Sequence, residues 1–249
     1  MLRDVLLLCA GYCRVDWSIF KLGTRSGRLV RAPAWMYLLC SDDGLMLVDS
    51  GMPHACIGNP DYFRDPNGEP PLIVPEMREE NWVERVLGRV GVSVADIDAL
   101  ISTHWHFDHA GGNQLFREQS VLVHPQEMAA AKAGSYPPEC SDPTLDYRIV
   151  EDGHQPMPGV TLLHTPGHTP GHLSVLAQPA GKRPLLLTID AVYTVENWES
   201  DIPGAQVEPE IGRRSVNRLK QVARDTDAAV FFGHDPEQSR EVYWQPWLR

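Results

Sequence analysis

Residues 102–112 read STHWHFDHAGG, which puts three histidines and an aspartate within six positions and two glycines just after them. Neutral imidazole and carboxylate bind zinc, and also manganese, iron and cobalt. His104 and His106 are two residues apart, so in extended chain both side chains leave on the same side. Asp108 and His109 are adjacent and must point elsewhere. That arrangement predicts a second metal rather than one crowded ion. Gly111 and Gly112 let the backbone turn tightly and approach a site closely. Three more stretches end apolar runs in the same kind of residue: TPGH at His168, TID at Asp190 and FFGH at His234. His172 lies in the same Pro-Gly-His surroundings as His168, and spacing alone does not choose between them. His54, His124, His154 and His164 read as surface or packed residues. Trp105 and Phe107 lie between the candidate ligands; core packing is the default for both, with Phe107 also a candidate for a pocket wall.

Such groups need rigid strand ends to hold them. The runs 35–40 (WMYLLC) and 45–48 (LMLV) flank Asp42-Asp43-Gly44 and predict a β-hairpin. Residues 52–78 are rich in proline, glycine and asparagine and read as a long loop bordering the active site. Apolar residues from Trp82 to Val90 recur at helical spacing, giving a helix over 79–90 that stops at Gly91. Residues 97–102 read as a strand leading straight into the histidine cluster. Further strands are expected at 121–124, 160–164, 173–177, 185–189 and 228–232, with helices over 125–133 and 211–223. Residues 134–159 read mostly as loop, and the apolar stretch 5–10 as a buried first strand rather than a signal peptide, because Asp4 spoils the basic leader. No repeat or linker is visible, so residues 1–249 are expected to form a single α/β domain.

Composition narrows the function. The chain has 249 residues, is 43% hydrophobic and carries a formal net charge of −11. An acidic balance argues against sequence-independent nucleic-acid binding, and no apolar run approaches the length of a membrane span. No nucleic-acid or membrane partner is therefore expected. The five cysteines lack CxxC spacing and read as buried free thiols in a reducing cytoplasm.

His104-x-His106-x-Asp108-His109, followed in order by His168, Asp190 and His234, resembles the HxHxDH pattern of the metallo-β-lactamase superfamily. The resemblance runs from Asp49 in LVDSG to His234 and implies a four-layer αβ/βα sandwich with its metal site between two sheets. It implies that His104, His106 and His168 bind one metal and that Asp108, His109 and His234 bind a second. Asp190 would bridge them, and Asp49 would orient ligands by hydrogen bonds. The cofactors implied are two divalent ions, zinc first, with cobalt, manganese or iron as alternatives. Two divalent ions against two carboxylates and one hydroxide leave a net positive centre, suited to a developing oxyanion.

A narrower resemblance rests on LLLTIDAVYTVENWES, FFGHDPEQ, WMYLLC and VDSGMP. These are similar to the AiiA-type N-acyl homoserine lactone lactonases. That family opens the lactone ring by attack of a bridging hydroxide. Its pattern carries a tyrosine three residues after the bridging aspartate, here Tyr193, which would hold the substrate carbonyl or the developing charge. Asp108 would carry the proton to the leaving alkoxide. The acyl chain needs an apolar groove, for which Trp17, Phe20, Phe63 and Phe107 are candidates. The implied partner is a small-molecule N-acyl homoserine lactone, with the protein a monomer or homodimer. Alternatives are a glyoxalase-type thioester hydrolase, another lactonase or esterase of the superfamily, and a non-catalytic metal-binding module. The short segment after His234 counts against the glyoxalase type.

Overall fold

Alternation along the first two strands sets the architecture of the computed structural model. It describes residues 1–22, 27–64, 67, 71–200 and 204–238. β1 (Leu2–Asp16) and β2 (Leu29–Ser41) pair antiparallel, so successive side chains enter opposite faces of one sheet. Ala34, Met36 and Leu38 enter one core, while Trp35, Tyr37 and Leu39 enter another. β3 (Leu45–Val48) pairs antiparallel with β2 and forms the expected hairpin.

Two segments expected to be loop carry strands. β4 (Ile73–Glu76), inside the 52–78 stretch, pairs with β1 at the sheet edge, where Pro75 faces Cys13. A proline is tolerated on an edge strand, which has one side of its backbone unpaired. β5 (Ala99–Ile101) and β6 (Ser120–Val123) extend the sheet, and β7 (Asp146–Ile149) closes its other edge by parallel pairing with β6. Most of β7 is exposed, so its sequence lacks the apolar alternation that announces a strand. The seven-stranded order is β4-β1-β2-β3-β5-β6-β7.

The second sheet holds β8 (Val160–His164), β9 (Leu173–Ala177), β10 (Leu185–Leu187) and β11 (Ala229–Phe231), in the order β11-β10-β9-β8. Val160, Leu162, Val175 and Leu187 meet Trp35, Tyr37 and Leu39 in the core between the sheets. Leu163, Leu176 and Leu186 point the other way, against Leu219.

Six helices accompany these strands among the described residues. α1 (Trp17–Phe20) is a single turn after β1. The helix expected over 79–90 is a 3₁₀ turn (Glu79–Asn81) followed by α2 (Val83–Arg89), whose Val83, Val86 and Leu87 cover the outer face of the large sheet. α3 (Phe107–Ala110) holds part of the histidine cluster, and α4 (Pro125–Lys132) starts at a proline as expected. α5 (Val195–Glu199) is short, and α6 (Pro209–Thr226) covers the small sheet through Leu219. The layers are therefore helix, seven-stranded sheet, four-stranded sheet and helix. No helix among the described residues is long and apolar enough to cross a membrane.

β3 and β5 are parallel, as are β10 and β11, and β8 runs with β10 because both oppose β9. The C-terminal ends of β3 and β5 thus share one edge of the large sheet. The C-terminal ends of β8, β10 and β11 share one edge of the small sheet. The segments that leave them carry Asp49, the histidine cluster, the TPGHTPGH loop, Asp190 and His234.

Candidate metal centre

Each of these segments delivers its side chains to one place. His104, His106, His168 and Asp190 form one group of potential ligands, and Asp108, His109 and His234 form a second; within each group the ligand atoms lie within 4.8 Å of one another. His106 Nδ1 stands 2.8 Å from His168 Nε2, which in turn stands 3.2 Å from His104 Nε2. Three imidazole nitrogens facing one another have too few protons to satisfy their lone pairs if all are neutral. Burial first, and then the neighbouring imidazoles, push the pKa of His104 and His106 well below the usual histidine value, so these rings are neutral donors of electron pairs.

The second group has the opposite balance. Burial disfavours a charged His109, but Asp190 and Asp108 outweigh it and hold His109 well above the ordinary histidine range. Asp190 raises His234 in the same way against the cost of burial. Carboxylates that draw a proton onto buried imidazole equally draw a cation. Asp190 sits between the groups. Its Oδ1 is buried and receives no hydrogen bond, although His109 Nε2 and His234 Nε2 lie 3.2 and 3.0 Å away. Its Oδ2 is 3.2 Å from His168 Nε2 and 3.7 Å from His104 Nε2. A buried carboxylate oxygen without a donor, ringed by imidazole nitrogens, fits divalent cations on both sides.

The far nitrogens of these rings are fixed. His109 Nδ1 donates to Asp49 Oδ2 at 2.8 Å, and His234 Nδ1 donates to the Pro33 carbonyl at 2.7 Å. Each Nε2 is therefore free to ligate. Asp49 is fully buried, adopts a left-handed φ of 60°, and also accepts from Thr103 N and Thr103 Oγ1, both at 2.9 Å. Thr103 was not singled out in the sequence, though it immediately precedes His104.

The choice between His168 and His172 falls to ring orientation. His172 Nδ1 bonds Thr165 Oγ1 at 2.9 Å, and its Nε2 accepts from Asp190 N at 3.1 Å. With both nitrogens engaged, His172 positions the Asp190 backbone and has no lone pair to offer. His168 turns Nε2 into the cluster while its Nδ1 lies 3.1 Å from the Ala205 carbonyl and 3.0 Å from the Tyr193 hydroxyl. Tyr193 donates to the same carbonyl at 3.0 Å. Burial first, then Asp190 and Asp108, push its pKa well above that of an ordinary phenol, so it stays protonated.

A cavity of about 280 Å³ opens beside the cluster; its walls include Phe20, Phe63, Phe107, Tyr193, Ala32 and Ala34. Phe107 packs edge-on against Phe63 with ring centroids 4.6 Å apart. Trp17 does not line this cavity; it packs against Phe20 with centroids 5.7 Å apart. The small side chains of Ala32 and Ala34 carried no sequence signal for a pocket. Gly111 is required by close approach rather than by its turn, because a Cβ there would meet Pro53 N at 2.0 Å. His54 and His154 are exposed, and His124 and His164 stack on each other at a ring separation of 3.7 Å, apart from the cluster.

The sequence pattern of the Metallo-beta-lactamase superfamily matches residues 30–234, a span that contains both groups of potential ligands. The chain belongs to the metallo-beta-lactamase superfamily. Within that superfamily it is 43% identical over 239 residues to an N-acyl homoserine lactonase of Bacillus sp., covering 96% of this chain and 95% of the relative. It is 40% identical, over 96% of this chain and 95% of the relative, to the N-acyl homoserine lactonase AiiA of Bacillus thuringiensis subsp. kurstaki. A solved N-acyl homoserine lactone hydrolase, with the product N-hexanoyl-L-homoserine at its catalytic metal centre, superposes with a TM-score of 0.92. The two are 39% identical, and the match covers 97% of this chain and 96% of that one.

Proposed function

We propose that the protein is a metal-dependent hydrolase that opens the lactone ring of N-acyl homoserine lactones. The observation that carries the reading is near end-to-end similarity to N-acyl homoserine lactonases, at 40–43% identity over 96% of the chain, with the ligand cluster beside an apolar cavity. We assign His104, His106 and His168 to one divalent ion, Asp108, His109 and His234 to a second, and Asp190 to both. The donor set of imidazole and carboxylate favours zinc, and also accepts cobalt, manganese or iron. When bound, such ions make hydroxide available near neutral pH and polarise a carbonyl.

The chain's own residues supply the rest. Phe20, Phe63 and Phe107 hold the acyl chain away from water. The protonated Tyr193 lies on the cavity wall, and its hydroxyl orients His168 and can turn to the substrate carbonyl. Asp108, half-buried at the cavity, carries the proton to the ring oxygen as it leaves. Ring opening thus consumes one water and yields a carboxylate, an alcohol and one released proton. We read residues 1–249 as one domain acting as a monomer or homodimer, and the five free cysteines favour the reducing cytoplasm.

A turnover panel on metal-loaded protein tests this reading. It comprises acyl homoserine lactones of several chain lengths, a simple γ-lactone, a glutathione thioester, a β-lactam and a phosphodiester. Turnover of the acyl homoserine lactones above all others is expected. Fast thioester hydrolysis without lactone turnover would overturn it.

A further inference from the structure

Glu127 is fully buried in the first turn of α4, outside both ligand groups. Its Oε1 accepts from Trp105 N at 2.9 Å. Its Oε2 accepts from Thr169 Oγ1 at 2.8 Å and from Gly171 N at 2.9 Å. Trp105 stands between His104 and His106, and Thr169 follows His168. One carboxylate therefore joins the two loops whose imidazoles must converge. We propose that Glu127 is a positioning residue that clamps the 104–106 loop to the 168–171 loop and so sets the geometry of the site formed by His104, His106 and His168.

Three features of the contact support a clamp. The first is chemical: Trp105 N, Thr169 Oγ1 and Gly171 N donate to its two oxygens, with the Tyr136 hydroxyl also bonded to it, and only a carboxylate offers acceptors on both sides. A glutamine would aim its amide donor at one of the donors already there. The second is steric. A Cβ at Gly171 would lie 2.3 Å from Glu127 N and 2.6 Å from Glu127 Cβ, so the loop approaches α4 as closely as glycine allows. The third is topological. The 104–106 loop leaves the large sheet after β5, and the 168–171 loop lies between β8 and β9 of the small sheet. Glu127 therefore bonds across the sandwich, at its ligand-bearing edge. The cost of burying its polar oxygens is offset by the hydrogen bonds from Trp105, Thr169 and Gly171 and by its place in the first turn of α4.

Asp108, His109 and His234 are not held by this clamp. Asp108 and His109 lie on α3, and His109 and His234 are oriented by Asp49 and the Pro33 carbonyl. The inference rests on the metal-centre reading, and it separates the two sites. Metal-free unaltered protein, Glu127→Gln, Thr169→Val and Thr169→Ser would be titrated with Co²⁺. Visible absorption and chelator competition would be followed, with His234→Ala identifying the band of the first site. In Glu127→Gln the first-site affinity is expected to fall about 10–100-fold with a shifted band, while the second site changes by only a few-fold. Thr169→Val, which removes one donor, is expected to fall between, and Thr169→Ser to restore the unaltered spectrum. A folded Glu127→Gln with an unchanged ratio of site affinities overturns the assignment, as does equal loss at both sites. If Glu127→Gln does not fold, an unchanged ratio in Thr169→Val overturns it. Unaltered protein that takes up fewer than two equivalents overturns the metal-centre reading itself, and with it this assignment. A protein that binds both ions but leaves lactones intact refutes only the substrate.

Discussion

Asp49 shows how much of the candidate centre lies in residues outside the two groups of potential ligands. Its carboxylate takes three hydrogen bonds, two from Thr103 and one from His109 Nδ1, and is held in a left-handed backbone that few aspartates adopt. Asp49→Asn keeps the shape but turns an amide donor against one of those three donors. The expected result is a 10–100-fold loss in affinity for the ion nearest His109, measured by chelator competition. Unchanged affinity would show that packing alone orients His109. Tyr193→Phe removes one hydroxyl and leaves His168 Nδ1 its bond to the Ala205 carbonyl. Two metals should be retained while kcat for lactone opening falls about tenfold, the scale of one or two kcal/mol from a lost hydrogen bond. An unchanged kcat would remove Tyr193 from the reaction. The candidate ligands were legible because imidazole and carboxylate are rare enough in such spacing to stand out. His168 and His172 were not separable, because their difference is a ring rotation set by Thr165 and the Asp190 backbone. Glu127 was invisible for a related reason: a glutamate in a first helical turn reads as an ordinary partner of the helix dipole.

At the scale of elements, strands that bury side chains were legible and strands that do not were missed. β2, β8 and β9 announce themselves by apolar runs, whereas β7 reads Asp-Tyr-Arg-Ile and is held by backbone pairing with β6. β4 was hidden by Pro75 and by the loop-like composition around it. α4 was foreseen, but its fastening was not. His124 caps it by accepting from Gln126 N at 3.3 Å, and its ring stacks on His164, whose Nε2 donates to the Pro170 carbonyl at 2.9 Å. Burial first, then the His164 ring, lower the His124 pKa from 6.5 to about 4, against a weaker opposing pull from Asp152. Between those values the unfolded chain takes up a proton that the folded chain refuses. Stability contributed by the neutral His124 ring is therefore complete above pH 6.5, declines as pH falls towards 4, and levels off below. The loss is about 1–2 kcal/mol, less than the full pKa difference implies because water reaches one edge of the pair. Urea unfolding of His124→Asn, which keeps a capping oxygen but cannot titrate, should show a flatter decline over this range than the unaltered protein. Parallel curves for the two proteins would place the acid sensitivity elsewhere.

The sandwich as a whole brings together candidate ligands that are distant in sequence, and this has a thermodynamic consequence. Apolar runs foretold strands in both halves of the chain, and the superfamily resemblance supplied the two sheets and their order of layers; neither discloses how many polar groups are buried together at the sheet edge. His104 and Asp190 are buried, with further imidazoles facing them and one carboxylate oxygen without a donor. Without cations, folding must desolvate these groups and leave them imperfectly paired, which costs free energy. Ions that bind the folded chain and not the unfolded one add RT ln(1 + [M]/Kd), or about 4 kcal/mol when free metal exceeds Kd a thousandfold. For a domain of this size each kcal/mol moves the midpoint by roughly 2–4 °C, so exhaustive chelation should lower Tm by about 8–16 °C. Calorimetry of chelated and metal-reconstituted protein at one pH measures the difference. Because the stabilisation depends on mass action, Tm should rise with the logarithm of free metal concentration. A Tm that ignores chelation despite verified metal loss would mean that the sheets hold the ligand edge rigid without help from ions, and that the pairing described here costs the fold nothing.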